Sequence, residues 1–282
     1  MISNLNVLDM TLLVWLGSLG AGLLGALTGL GGGVVLVPML TLLFGVDIRY
    51  AIGASLVSVI ATSSGAAAAY VKEGFTNIRV GMLLEVATTV GALAGASLGS
   101  VLSGAVVAVI LGVTLVYSAY LSTRPQHAVS QDAPPDALAC SLKLNGCYPA
   151  AEGWRAYNVY CVPGGFGVMF VAGTLSGLLG IGSGAVKVLA MDTIMRIPFK
   201  VSTTTSNFMI GVTAAASAGV YLNRGYIDPG LALPVMLGVL IGSVAGTRVL
   251  ARARTRTLRV LFGVVIFFLG IQMIYKGLAG GI

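Results

Sequence analysis

Residues 176–207 read SGLLGIGSGAVKVLAMDTIMRIPFKVSTTTSN, and how this stretch is read decides the fold. An apolar helical run stops at Gly180-Ile181-Gly182-Ser183-Gly184, restarts through Lys187, and finishes in a hydroxyl-rich run from Ser202 to Asn207. Residues 25–55, GALTGLGGGVVLVPMLTLLFGVDIRYAIGAS, carry the same break and restart in a plainer copy. Two interrupted apolar segments in corresponding places of two halves point to the binding site of a membrane transporter.

The correspondence extends past the breaks. Adding 151 to a first-half number pairs Gly22 with Gly173, Gly29 with Gly180, Gly31 with Gly182 and Gly33 with Gly184. The same offset pairs Ser55 with Ser206, Thr62 with Thr213, Tyr70 with Tyr221, Gly74 with Gly225, Gly91 with Gly242, Gly95 with Gly246 and Gly112 with Gly263. The matches fall on glycines, hydroxyls and a helix-ending tyrosine over about ninety residues, so they mark an internal repeat.

Each half reads as five apolar segments. They are about Met10–Leu30, Val34–Phe44, Tyr50–Val71, Val80–Leu98 and Val101–Leu121, then Val162–Leu179, Ala185–Met195, Val201–Leu222, Pro229–Leu250 and Leu258–Tyr275. The second segment of each half is short enough to span roughly 16 Å, half of a ~30 Å hydrocarbon core. The first two segments of each half therefore predict a helical hairpin bent at the glycines, followed by three transmembrane helices.

Composition agrees. The chain is 57% hydrophobic and 9% charged, with a mean hydropathy of +0.97. Soluble domains carry about 25% charged residues, so this chain cannot build a water-facing surface. An all-α polytopic membrane protein is expected. MISNLNVLDM lacks the positive n-region of a signal peptide, so the first segment is expected to be retained. The net charge of +7 suits cations held on the cytoplasmic side, and no soluble basic face exists for nucleic acid. Cys140, Cys147 and Cys161 have no metal-ligand spacing and His127 is the single histidine, so neither a metal nor a cofactor is expected.

Loop charges set an orientation. Arg248, Arg252, Arg254, Arg256 and Arg259 place the loop between the last two segments inside. Its first-half counterpart, Gly99-Ser100, is uncharged. The two halves are thus expected to cross the membrane in opposite senses, as inverted-topology repeats. Lys72–Arg79 and Arg196–Lys200 then fall inside, Asp47–Arg49 and Arg224–Asp228 outside, and both termini outside. The expected organisation is repeat 1 (1–121), a polar cytoplasmic linker (122–160) and repeat 2 (161–282). In the linker RPQHAVSQDAPPDA reads as irregular, while SLKLNGCY and WRAYNVYCV alternate around Pro149–Gly153 and predict a small β-hairpin. A reducing cytoplasm would keep its cysteines as thiols.

The candidate site centres on Gly31, Gly32 and Gly33 in one half and Gly182, Ser183 and Gly184 in the other. Glycine lets backbone approach a ligand, and a helix restarting there offers unpaired N–H groups and partial positive charge to an anion. Irregular backbone persists in a bilayer only where it lines a cavity or is buried in protein. Simple helix packing is the competing reading of one such break; its duplication favours a site. Lys187 replaces Leu36 of the first copy. Inserting a lysine costs at least ~2.5 kcal/mol, so it should face a cavity, an acid or an anion, unless it snorkels to the interface.

Glu85 and Asp192 are its candidate partners and the candidate carriers of a coupling proton. Asp192 also stands four residues from Arg196, as an interfacial pair would. The hydroxyls Ser55, Ser58, Thr62 and Ser63, and Ser202 to Ser206 with Asn207, open helices and so cap N–H groups in part. Of these Ser55, Thr204, Thr205, Ser206 and Asn207 are the expected neutral donors to substrate. Arg49 and Lys200 are interfacial repeat mates, and the ladders Gly91-Gly95-Gly99 and Gly242-Gly246 read as close helix packing.

GLGGGVVLVPML with GLLGIGSGAVKV, and AIGASLVSV with VSTTTSNFMIGVTAAASAGVY, resemble the TauE/SafE family of bacterial membrane proteins over both halves apart from the linker. The resemblance implies export of sulfite or organosulfonates such as sulfoacetate, with the Gly31–Gly33 and Gly182–Gly184 breaks and the hydroxyl runs lining the path. Ser183 departs from the doubled GGG pattern and Leu189 stands where the first copy has Pro38, so the two halves of the site are unequal. The expected protein is a secondary transporter of the inner membrane, exporting a small anion by alternating access. Membrane potential or protons would drive it, as a monomer or homodimer. An anion channel, or a membrane-embedded thiol or redox enzyme using the three cysteines, are the alternatives.

Overall fold

The computed structural model describes residues 7–28, 32–72, 74–123, 136–150, 153–250 and 255–280. In the first half the apolar segments form helices α1 (Val7–Thr28), α2 (Gly33–Leu43), α3 (Ile48–Lys72), α4 (Ile78–Val101) and α5 (Gly104–Thr123). After a short helix α6 (Ala137–Ser141) come strands β1 (Gly146–Ala150) and β2 (Gly153–Tyr157), and then α7 (Val162–Leu179) and α8 (Gly184–Leu189). The chain runs from α8 straight into a π-helical turn, Ala190–Ile194, and ends with α9 (Phe199–Asn223), α10 (Pro229–Leu250) and α11 (Thr255–Leu278).

These helices have no clean polar face, because the sequence gives them none. On α4 the buried residues Leu84, Thr88, Gly91, Gly95 and Gly99 recur at helical spacing. The opposite side shows Met82, Val86 and Val90, equally apolar but exposed. Such a helix suits a solvent of hydrocarbon. Helices α4 and α7 are each long and apolar enough to cross a bilayer, and α1, α3, α5, α10 and α11 carry shorter apolar stretches.

The principal packing joins first half to second. Helix α1 lies on α10, α4 on α7, α5 on α11 and α3 on α9. Backbones touch at glycines. A Cβ on Gly22 would collide with the Val239 backbone and one on Gly173 with the Thr88 backbone. Likewise Gly91 meets the Phe170 carbonyl and Gly242 the Leu19 carbonyl. Removing 151 from 239 gives 88, and from 170 gives 19, so both contacts recur under the sequence offset. The turns recur too. Gly74 (φ +76°) ends α3 and Gly225 (φ +74°) ends α9 in left-handed backbone that glycine adopts without penalty. Asn77 then caps α4 by accepting from the Val80 N–H at 3.1 Å, and Asp228 accepts from the Gly230 N–H at 2.9 Å.

The expected hairpin forms, with Tyr148 opposite Arg155 and Gly146 opposite Tyr157. It docks through Leu144 and Tyr157 onto a core that includes Leu84, Met169, Met191, Met195 and Met209. A larger core gathers Leu36, Leu40, Ile52, Leu56, Leu111, Leu179 and Val235 around α2 and α3.

Candidate functional site

The two glycine breaks meet. Ser55, on α3, donates its hydroxyl to the Gly180 carbonyl at 2.8 Å. A Cβ on Gly33 would lie 2.8 Å from the Ser55 Oγ and 3.1 Å from that same carbonyl, so only glycine lets α2 restart there. Gly32, Gly33 and residues 180–184 are all buried. Gly31, the first glycine of its break, lies outside the described residues, as does His127.

The second break is held by left-handed backbone at Gly180, Gly182 and Ser183, the last at φ +45°. A non-glycine residue there carries local strain. Ser183 is 4% exposed, and its Oγ has no hydrogen-bond partner among the described residues. The Oγ of Ser176, one turn before the break, is likewise buried and unpartnered there. Buried hydroxyls left unpaired are costly and uncommon. Here one lies within an irregular turn and one just before it.

Lys187 does not snorkel: it is 0% exposed. Its Nζ donates to the Thr213 Oγ at 2.6 Å, and Thr213 donates to the Glu85 Oε1 at 2.8 Å. The Thr89 hydroxyl donates to the same oxygen at 3.1 Å, while Glu85 Oε2 is buried without a partner among the described residues. A threonine therefore stands between the ammonium and the carboxylate, linking α8, α9 and α4. Of the two candidate acids, Glu85 is the one joined to Lys187; Asp192 lies half-buried on the π turn. Thr213 is not among the residues that the sequence alone singles out for the site. Its signal was present, since it is the offset mate of Thr62 and lies seven residues, two helical turns, beyond Ser206 on one face of α9.

The hydroxyl run of α9 divides its tasks. Helix α9 is preceded by Pro198 and has no side-chain cap. Apart from Thr205, the hydroxyls of the run donate to carbonyls, and none caps the free N–H groups of its own helix. Ser202 reaches the Ile197 carbonyl at 3.1 Å and Thr203 the Phe199 carbonyl at 2.9 Å. Thr204 donates to the Phe75 carbonyl and Thr205 accepts from the Asn77 N–H, both at 3.0 Å, so these two fasten the turn before α4. Ser206 turns to the second break and donates to the Gly184 carbonyl at 3.4 Å. Asn207 is half-buried one residue on. The structure thus brings Gly33, Ser55 and Gly180 together at the breaks, Ser206 with Gly184 beside them, and Lys187 with Glu85. Thr204 and Thr205 it engages elsewhere.

Two cation–π contacts flank the centre. The Arg49 guanidinium lies 5.6 Å from the Tyr226 ring centroid, and the Lys200 ammonium 4.4 Å from that of Phe75. These are offset mates on both sides, since 49 and 75 become 200 and 226. Beyond the Phe75 turn, Asn77 donates to the Leu144 carbonyl at 2.9 Å and to the Tyr157 phenol oxygen at 2.7 Å. Burial pushes the Tyr157 phenol up to about 12. Cys140, Cys147 and Cys161 are exposed free thiols.

This centre offers a buried cation, a buried carboxylate, and hydroxyls without partners among the described residues. A buried ammonium beside hydroxyl donors is the chemistry that an anion requires. A family model described as sulfite exporter TauE/SafE matches residues 14–273. A probable membrane transporter protein of Bacillus subtilis (strain 168), YunE, is 27% identical over 278 residues, covering 96% of this chain and 99% of that protein. Another probable membrane transporter protein, from Xylella fastidiosa (strain 9a5c), is 25% identical over 95% of this chain and 97% of its own. The probable membrane transporter protein MJ0441 of Methanocaldococcus jannaschii is 23% identical over 90% of this chain and 91% of its own. No solved structure matches the chain significantly.

Proposed function

The chain belongs to the sulfite exporter TauE/SafE family and is a membrane transporter, and on that footing we propose that it exports small anions, sulfite or an organosulfonate such as sulfoacetate, by alternating access. One observation carries the reading. Two glycine-broken turns meet in the protein interior, and at one of them the buried hydroxyls of Ser183 and Ser176 have no hydrogen-bond partner among the described residues. Lys187 adds the positive charge that a desolvated anion requires. Substrate would contact the Gly31–Gly33 and Gly182–Gly184 turns, Ser55, Ser183 and Ser206, with Lys187 as counter-charge.

The recurrence of helix seams, turns and cation–π contacts under one sequence offset supports two repeats of inverted topology, 1–121 and 161–282, joined by a cytoplasmic linker. On this reading the burial of Gly32, Gly33 and residues 180–184 is that of an occluded state. Rocking of the repeats about the seams would open the centre to one side and then the other. The proposed setting is the bacterial inner membrane, with both termini outside.

The test is anion flux into proteoliposomes, with sulfite, sulfoacetate, sulfate and taurine as probes. Saturable sulfite or sulfoacetate flux that Lys187→Ala lowers at least about tenfold, a loss near 1.4 kcal/mol, is the expected result. Undiminished flux in that variant would remove Lys187 from the mechanism. Single-channel currents would replace the carrier with a channel.

A further inference from the structure

The link from Lys187 through Thr213 to Glu85 has a consequence for what must travel with the anion. Lys187 and Glu85 are both buried, at 0% and 9% exposure, and a single hydroxyl joins them. In the empty centre their charges cancel. An anion seated against Lys187 would bring a second negative charge to a buried site that has one cation. Two like charges cannot share a buried site at low cost, and the usual resolution is that one takes up a proton. The structure leaves room for it, since Glu85 Oε2 has no hydrogen-bond partner among the described residues.

We propose that Glu85 is the proton carrier of this transporter, taking up one proton for each monovalent anion that replaces it as the counter-charge of Lys187. This deepens the anion-transport reading and rests on it. The loaded centre holds ammonium, anion and neutral carboxyl; the returning empty centre holds ammonium and carboxylate. Both are neutral, so each cycle moves one anion and one proton together and no net charge. The proton sits on the Glu85 carboxyl during the crossing and leaves it on the side where the anion leaves. Thr213 accepts from Lys187 and donates to Glu85, so its hydroxyl reads both states.

Among the described residues no other titratable group competes for this role at the same place. Helices α7 and α9 pack on α4. Helix α7 contains no titratable residue. Helix α9 contributes Lys200, seated over Phe75, and Tyr221, whose hydroxyl donates to the Leu178 carbonyl at 3.3 Å. The α8 segment and its π turn contribute Lys187 and the half-buried Asp192. Helix α5, also against α8, carries Tyr117 and Tyr120 on its exposed side. Tyr157, in the core beneath α4, is bonded by Asn77.

The experiment uses the full chain in sealed proteoliposomes, with sulfite and methanesulfonate as probes and an interior pH dye. Methanesulfonate keeps a single negative charge throughout, so its coupling is unambiguous. A pH gradient of one unit should drive about tenfold methanesulfonate accumulation in wild type. An imposed potential of about 59 mV, the electrical equivalent of tenfold, should drive none. Glu85→Gln should reverse this, giving accumulation that follows potential and ignores pH, with no dye response. Wild-type accumulation that follows potential without proton movement would overturn the coupling and leave anion transport standing. That arm needs no variant to fold. Absence of saturable flux of either probe would remove anion transport and the coupling together. Thr213→Ser, which keeps the bridging hydroxyl, should retain one proton per anion. Thr213→Val should lose that ratio, and a retained ratio there would take the bridge out of the proposal.

Discussion

Lys187, Thr213 and Glu85 show how a charge is kept inside a membrane protein. The lysine is wholly buried because a hydroxyl and a carboxylate answer it, and taking one away exposes the cost of the other. Lys187→Met should therefore destabilise the protein by about 3–5 kcal/mol, whereas Lys187→Met with Glu85→Gln should recover most of that loss without recovering transport. Thermal unfolding of the four proteins of the cycle in detergent checks the coupling. Ser183 makes the opposite trade. Its left-handed backbone is strained, so Ser183→Gly should raise stability by about 1 kcal/mol while weakening sulfite binding through the lost hydroxyl. Lys187 was legible in the sequence as a lone cation in an oily stretch, and Glu85 as one of two acids that could answer it. The choice between the acids was not legible. It depends on Thr213, a residue whose distance from Glu85 in the chain carries no signal of their contact.

Among the helices and turns, the glycine seams bear the closest contacts. Gly173→Val should push α7 off the Thr88 backbone and cost about 1–3 kcal/mol or more, lowering the yield of folded protein. Gly20→Ala, where no atom lies within 4 Å of the added carbon, should be neutral. The linker hairpin has its own test in alkali. Tyr157 is held neutral in the folded protein to about pH 12, above its ordinary 10, so its contribution is complete below pH 10 and falls away as pH rises through 12. Tyr157→Phe should remove that part of the alkaline loss, up to about 2–3 kcal/mol in a pH titration of unfolding. The breaks, the segment boundaries and the hairpin could all be read from period and punctuation, because those are local. The hydroxyl run could not. Ser202 to Ser206 look alike in sequence, yet two of them bind the turn at residues 75–77 and one the second break, since which carbonyl lies near is decided by the packing of α9 on α4. The π turn after α8 was equally silent; its first-half counterpart continues as a regular helix through Pro38.

For the molecule as a whole, the orientation can be read from its thiols. Cys140, Cys147 and Cys161 are exposed, so a membrane-impermeant maleimide should label them in inside-out vesicles and spare them in intact cells. Labelling from outside would invert the proposed topology. The pairing of α1 with α10 and of α4 with α7 has a further consequence. Neither half covers its own seams: each lends a long helix to the other and receives one back. A chain severed in the linker would yield two fragments with bare glycine ribs turned to lipid, each with its complement on the other piece. Made together, the fragments should find each other and restore a working carrier; made singly, each should be degraded.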